Sequence, residues 1–80
     1  MKLQLLLFGV TADLLKTSSL EIEVLEKSSI KDLKRKLIDE YPQLQNINSY
    51  AIAVNESYAN DEIVLQKSDI VAIIPPVSGG

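Results

Sequence analysis

The carboxyl end of the chain holds the residues whose types and spacing could take part in chemistry. The sequence ends Ile74-Pro75-Pro76-Val77-Ser78-Gly79-Gly80, so small residues and glycines follow two prolines. A proline pair favours a stiff, extended backbone, and glycine has no side chain. At about 3.3 Å per residue, residues 75–80 could reach roughly 20 Å from the last strand. This stiff base, thin tip and terminal carboxylate suit a narrow channel in which another protein acts on Gly80.

The remainder of the sequence offers no other obvious reactive group. It contains no cysteine and no histidine, which excludes thiolate chemistry and disulfides and argues against a zinc site. The net charge of −3 disfavours non-specific binding to nucleic acid or to anionic membranes, because both require basic patches. The apolar stretch 5–8 is too short for a membrane span and lacks the cleavage pattern of a signal peptide. We expect one cytoplasmic domain over residues 1–74, followed by the tail 75–80.

Five strands are predicted from apolar alternation and from one apolar run near the tail. In the first strand the leucines at alternate positions share one face, and in the second the outward Glu21 and Glu23 suit a sheet edge. The last strand is rich in β-branched residues and is ended by Pro75, which has no N–H for a sheet ladder. The predicted strands cover residues 2–9, 20–25, 51–54, a short segment from Tyr58, and 70–74.

One helix is predicted over residues 29–41. Ser29 as N-cap with Asp32 three residues later approximates a capping box. An apolar stripe at helical period follows, formed by Ile30, Leu33, Leu37, Ile38 and Tyr41. The opposite, charged face is interpreted as solvated, with recognition by a partner as the alternative; it carries Lys31, Lys34, Arg35, Lys36, Asp39 and Glu40. The segments 9–19 and 43–49 are predicted to be loops, and Val64 and Leu65 are predicted to fill the core from a further loop.

This element order predicts an α+β domain of the β-grasp, ubiquitin-like type, with a mixed four- to five-stranded sheet and one main helix. The helix covers one face of the sheet, so the outward residues of the first and last strands are left on the other. We expect Leu6, Phe8, Ala72 and Ile74 to form an apolar patch there, at the base of the tail, and to bind a partner. The alternative is a central strand that the domain itself covers on both sides.

The chain resembles the MoaD family, the small subunits of molybdopterin synthase, over nearly its whole length. The resemblance is strongest in Ala53-Val54-Asn55-Glu56 and in residues 68–80, weaker at Leu7-Phe8-Gly9, and weakest over 43–50. Many relatives carry an Arg-Glu-like pair after the first strand, whereas this chain has Thr11-Ala12-Asp13. An ion pair from that arginine to a partner is therefore not expected here.

The resemblance implies that Gly80 is the working residue. An E1-like enzyme, MoeB, would adenylate its carboxylate with ATP, and a sulfurtransferase route would convert it to a thiocarboxylate. The tail residues Pro75, Pro76, Val77, Ser78 and Gly79 would then enter the large subunit, MoaE. There the sulfur would pass to cyclic pyranopterin monophosphate in molybdenum cofactor biosynthesis. The catalytic lysines and substrate pocket would belong to the large subunit, and this chain would bind no cofactor of its own.

Three other interpretations are compatible with the sequence. Thiamine-pathway sulfur carriers share the fold and the terminal Gly-Gly, although their tails usually lack the Pro-Pro pair. A ubiquitin-like modifier would use the same activated glycine to join a lysine of a target protein. A binding module with an incidental Gly79-Gly80 pair is the third, since two terminal glycines arise by chance in about one chain in 200.

Overall fold

The structure is a computed structural model that describes residues 1–76, apart from the side chain of Asn48. Its elements are β1 (Lys2–Leu7), α1 (Val10–Leu15), β2 (Ser19–Glu23), α2 (Ile30–Glu40), two 3₁₀ helices (Pro42–Leu44 and Ile47–Ser49), β3 (Ala51–Val54), β4 (Ser57–Tyr58) and β5 (Ile70–Ile74). In this part of the chain five strands form one sheet in the order β2-β1-β5-β3-β4. The central strands β1 and β5 are parallel and the other neighbours are antiparallel, which confirms the predicted β-grasp fold.

The core lies between one face of this sheet and α2. Strand alternation sends Leu3, Leu5 and Leu7 of β1 to that face, and all three are buried. The apolar stripe on α2 packs against these leucines, as predicted, because residues three and four positions apart share one face of a helix. The fully buried residues of α2 are Ile30, Leu33 and Leu37. Among residues 1–76 no helix has the length and apolar character needed to cross a membrane.

The start of α2 is held by the predicted capping box. The side chain of Ser29 accepts a hydrogen bond from the backbone N–H of Asp32, and the Asp32 carboxylate accepts one from the backbone N–H of Ser29, at 3.3 and 3.0 Å. The backbone bond from Ser29 favours the ionised carboxylate and, with the Ser29 hydroxyl, lowers the pKa of Asp32. The amide of Ile30 donates to the carbonyl of Ile63, so the loop between β4 and β5 also satisfies this helix end.

Lys34 corrects the prediction that the charged face of α2 is fully solvated. Its side chain is only 11% exposed, and its Nζ donates to Asp61 Oδ1 at 2.7 Å. Lys34 adjoins the buried stripe, so its aliphatic stem is covered while its ammonium finds a carboxylate on the loop. This ion pair fastens the β4–β5 loop to the helix.

Two segments predicted as loops contain helices. The turn after β1 continues into α1, where Thr11 is fully buried. The polar-looking stretch after α2 forms the two 3₁₀ helices, each of which contributes one fully buried residue, Leu44 and Ile47. Their isolated apolar residues give no periodic signal, so sequence patterning does not reveal these short helices.

The prediction for the β4–β5 loop is half wrong. Leu65 is buried in the core, but Val64 is exposed. Val64 forms an isolated antiparallel bridge with Ser29. Neighbouring residues in an extended segment point to opposite sides, so only one of the pair can face the core.

Candidate functional site

The face of the sheet opposite α2 carries an apolar depression of about 660 Å³. We call this surface the open-face depression. Alternation in β1, β3 and β5 supplies its floor, and the turn between β3 and β4 supplies one wall. It is lined by Leu6, Phe8, Ala53, Asn55, Glu56, Tyr58, Ile70, Ala72 and Ile74.

The parallel pairing of β1 with β5 brings the four predicted partner-binding residues together. Leu6 lies opposite Ala72 in the register, and the same register carried one step of alternation further sets Phe8 opposite Ile74. Leu6, Ala72 and Ile74 are half-buried, whereas Phe8 is 49% exposed. The four side chains therefore share one apolar surface, and their role in binding a partner stays a prediction.

Two large residues of the depression were not among the predicted contacts. Tyr58 pairs with Ala53 across β3 and β4, which brings its ring to the same face, and Ile70 is two residues before Ala72 on β5. Both are exposed. Alternation along β5 would have identified Ile70, because residues 70, 72 and 74 must share a face. An exposed apolar surface that gathers so many large side chains is typical of a protein–protein contact.

Acidic residues share the face of the sheet opposite α2 with this apolar surface. Glu21 and Glu23 are exposed on the edge strand β2, opposite Gln4 and Lys2 of β1. Glu56 lines the depression. The arrangement favours a partner surface with an apolar centre and basic groups around it.

A small hydrogen-bond network fixes the wall of the depression. Asn55 Nδ2 donates to Asp69 Oδ1 at 2.8 Å, and the backbone N–H of Ile70 donates to Asn55 Oδ1 at 3.0 Å. The second carboxylate oxygen of Asp69 accepts from the amide of Gln66 at 2.7 Å. Asn55 has φ 50°, a left-handed conformation that asparagine tolerates better than most residues. The network ties the β3–β4 turn to the first residue of β5; the sequence signals the turn but not its partner.

The base of the tail adjoins the depression. β5 ends at Ile74, after which Pro75 is half-buried and Pro76 is exposed. The predicted insertion residues Val77, Ser78 and Gly79, and the predicted sulfur-carrying Gly80, lie outside the described residues. Their roles stay predictions, whereas the position of the tail's base beside Phe8 and Ile74 is a feature of the structure.

Comparison with known proteins decides the family. The profile of the ThiS family matches residues 5–80. The chain belongs to the ThiS family. It is 31% identical over 80 residues to the molybdopterin synthase sulfur carrier subunit of Arabidopsis thaliana, covering 99% of this chain and 83% of that protein. It is 36% identical over 81 residues to the subunit of the same name from Dictyostelium discoideum, covering 96% and 94%.

Solved structures of proteins of similar length share the fold. SAMP1, the small archaeal modifier protein 1 of Haloferax volcanii, superposes with a TM-score of 0.88 at 20% identity over the whole of both chains. A chain from the complex of subunits 1 and 2 of molybdopterin-converting factor from Helicobacter pylori 26695 matches with a TM-score of 0.70 at 27% identity, again over the whole of both. Both likenesses agree with the β-grasp fold, and the second also agrees with the resemblance to the MoaD family.

Proposed function

We propose that this chain is the sulfur-carrier subunit of a molybdopterin synthase. The observation that carries the proposal is its similarity, over nearly its whole length, to subunits of that name in two distant organisms. The open-face depression supports it, because a carrier must be held by a partner while its terminus reaches an active site. The domain over residues 1–74 would be the part that is held, and the tail 75–80 the part that reaches.

The chemistry proposed for Gly80 follows from the reactivity of a carboxylate. A free carboxylate is a poor acyl donor, so an E1-like enzyme first transfers AMP from ATP to it and releases pyrophosphate. The persulfide of a sulfurtransferase then displaces AMP, and a thiol reductant cleaves the resulting acyl disulfide to leave a thiocarboxylate. That group donates its sulfur to cyclic pyranopterin monophosphate, water returns the terminus to a carboxylate, and two rounds provide both sulfurs of the dithiolene. The chain itself would supply the transferable group, and the enzymes it visits would supply the acids and bases.

The large subunit is the partner proposed for the open-face depression. The relative from Helicobacter pylori is a member of a complex of subunits 1 and 2. Phe8 and Ile74 stand at the edge of the depression nearest the tail, so docking there would orient the tail toward the large subunit. Glu21, Glu23 and Glu56 would meet basic groups around the apolar contact and would favour fast association.

The proposal is tested by single-turnover transfer in a reconstituted system. The chain is prepared with a thiocarboxylate at Gly80, and the same chain with an ordinary carboxylate is the matched control. Each is mixed with the large subunit and cyclic pyranopterin monophosphate, and molybdopterin is measured. We expect product from the thiocarboxylate alone. If neither form gives product, and ATP with an E1-like enzyme links Gly80 to lysines of other proteins, the chain is a protein modifier instead. If the thiocarboxylate gives sulfur only to a thiamine precursor, the chain is a thiamine-pathway carrier.

A further inference from the structure

We propose that Gly9 is a positioning residue, which sets the direction in which the tail leaves the sheet through its contact with Pro75. The tail's use in sulfur transfer rests on the proposed function. The contact itself is a property of the free chain and can be measured without any partner. Gly9 follows β1 and lies far from the tail in sequence, so no local pattern links the two residues.

Strand register brings Gly9 and Pro75 together. β1 and β5 are parallel neighbours, and Leu7 pairs with Ile73 at the end of the ladder. The same register, continued for two residues, sets Gly9 opposite Pro75. Both strands leave the sheet at this point: β1 continues into α1, and β5 continues into the tail. The direction of the tail is therefore decided where Gly9 and Pro75 meet.

The backbone of Gly9 makes room for the proline ring. Gly9 has φ 55° and ψ −132°, a combination that side-chain-bearing L-residues rarely adopt. A Cβ placed on this backbone would lie 3.1 Å from Cγ of Pro75 and 4.0 Å from its Cδ. The first distance is shorter than ordinary van der Waals contact. A methyl group at position 9 would therefore push the ring by a few tenths of an ångström.

The turn around Gly9 is better anchored than Pro75. The buried hydroxyl of Thr11 accepts from the amide of Phe8 at 3.1 Å and donates to the carbonyl of Phe8 at 2.6 Å. The amide of Asp13 donates to the carbonyl of Gly9 at 3.3 Å. Pro75 has no N–H to hold it in the ladder, and it follows Ile74, the last residue of β5. We therefore expect an added methyl to displace Pro75 and leave the turn in place.

A small displacement at Pro75 grows along the tail. A few tenths of an ångström over one residue, about 3.3 Å, is a change of several degrees in direction. If the tail is extended in a partner's channel, this change of direction becomes an offset of about 1–2 Å at Gly80, five residues further on. Misplacement by about 1 Å can slow an enzymatic step up to a hundredfold, because reacting atoms must approach within about 3–3.5 Å. Gly9 would thus influence transfer from a site far from the reacting carbon.

The test is a double-mutant cycle of wild type, Gly9→Ala, Pro75→Ala and the double variant. Pro75→Ala removes the Cγ that an alanine at position 9 would meet. In the free chains, the Cα–Hα residual dipolar couplings of Pro76 report the tail's direction, and those of the strands report the fold. We expect Gly9→Ala to change the Pro76 coupling with the strand couplings unchanged. In the Pro75→Ala background the same substitution should change nothing further.

Single-turnover transfer from the thiocarboxylate forms supplies the functional comparison. We expect Gly9→Ala to slow the transfer step at least about tenfold with an unchanged Kd for the large subunit, and to have no added effect in the Pro75→Ala background. The strained φ should lower the urea midpoint in both backgrounds, so the midpoint measures the merely structural effect. Equal slowing in both backgrounds, or an unchanged Pro76 coupling, would overturn the proposal.

The two proposals fail in different ways. If wild type transfers no sulfur, the proposed function is wrong, and the couplings still decide whether Gly9 directs the tail. If Gly9→Ala does not fold, Pro75→Ala tests the contact from its other side, because it lies at the end of β5 and outside the core. Pro75→Ala should then alter the Pro76 coupling and slow the transfer step measured at saturating large subunit; an unaltered coupling would contradict the assignment.

Discussion

Substituting Phe8 by aspartate should abolish docking on the open-face depression and leave the domain folded. Phe8 is 49% exposed, and a phenylalanine side chain offers roughly 200 Å², so docking would bury about 100 Å² more. At about 25 cal/mol per Å² that area contributes about 2.5 kcal/mol, a factor of roughly 60 in Kd. Aspartate forfeits this contribution and adds the cost of desolvating a carboxylate in an apolar contact. We therefore expect binding to the large subunit to weaken at least 60-fold.

The assay is isothermal titration calorimetry with the large subunit, with urea unfolding as the measure of stability. Leu25→Asp is the matched control, because Leu25 is 84% exposed and lines a separate surface with Asp32 and Lys36. It should introduce the same charge and leave Kd within about twofold, since a surface substitution away from the contact is close to neutral. Tight binding by Phe8→Asp, or equal weakening by both variants, would refute the placement of the partner on this face.

Three further predictions concern the scaffold. Leu37→Ala should lower the free energy of unfolding by about 2–5 kcal/mol, measured by urea denaturation, because the side chain is fully buried; an unchanged midpoint would contradict its place in the core. Asp61→Ala should lower the free energy of unfolding by about 1–3 kcal/mol, because it leaves Lys34 unpaired, whereas Lys34→Met should leave that free energy nearly unchanged. Equal losses of stability in the two variants would count against the ion pair as described. Because folding lowers the pKa of Asp32, its carboxylate stabilises the fold fully above the ordinary aspartate pKa, and this stabilisation is lost as the pH falls through the lowered pKa. The difference in unfolding free energy between wild type and Asp32→Asn should therefore disappear in acid. A difference that does not depend on pH would argue against the capping bond.

The sheet and main helix were predictable because their signals are local and periodic. Alternation in β1 and the stripe on α2 specify which side chains face the core, and the capping box marks the helix start. The open face followed from counting layers: with one main helix, one side of the sheet has no cover. Alternation then placed Leu6, Phe8, Ala72 and Ile74 on that side.

What escaped prediction depends on contacts between residues distant in sequence. Lys34 looks like any solvated lysine of an amphipathic helix until the fold brings Asp61 to it. The Asn55–Asp69 pair joins two turns that only the β3–β5 pairing brings together. Short helices such as α1 have too few residues for a periodic signal and are stabilised by packing instead.

The central claim is that Gly80 carries the transferable sulfur, and intact-mass analysis tests it most directly. Wild type and a variant lacking Gly80 are each incubated with the E1-like enzyme, ATP and a sulfur donor. Deletion sets the carboxylate back by about 3.5 Å, more than the tolerance of near-attack geometry, without touching the folded domain. We predict that wild type gains the mass of one oxygen-to-sulfur exchange, located at Gly80 by fragmentation, and that the shortened chain gains nothing. Sulfur acquired by the shortened chain, together with its support of molybdopterin formation, would contradict the account.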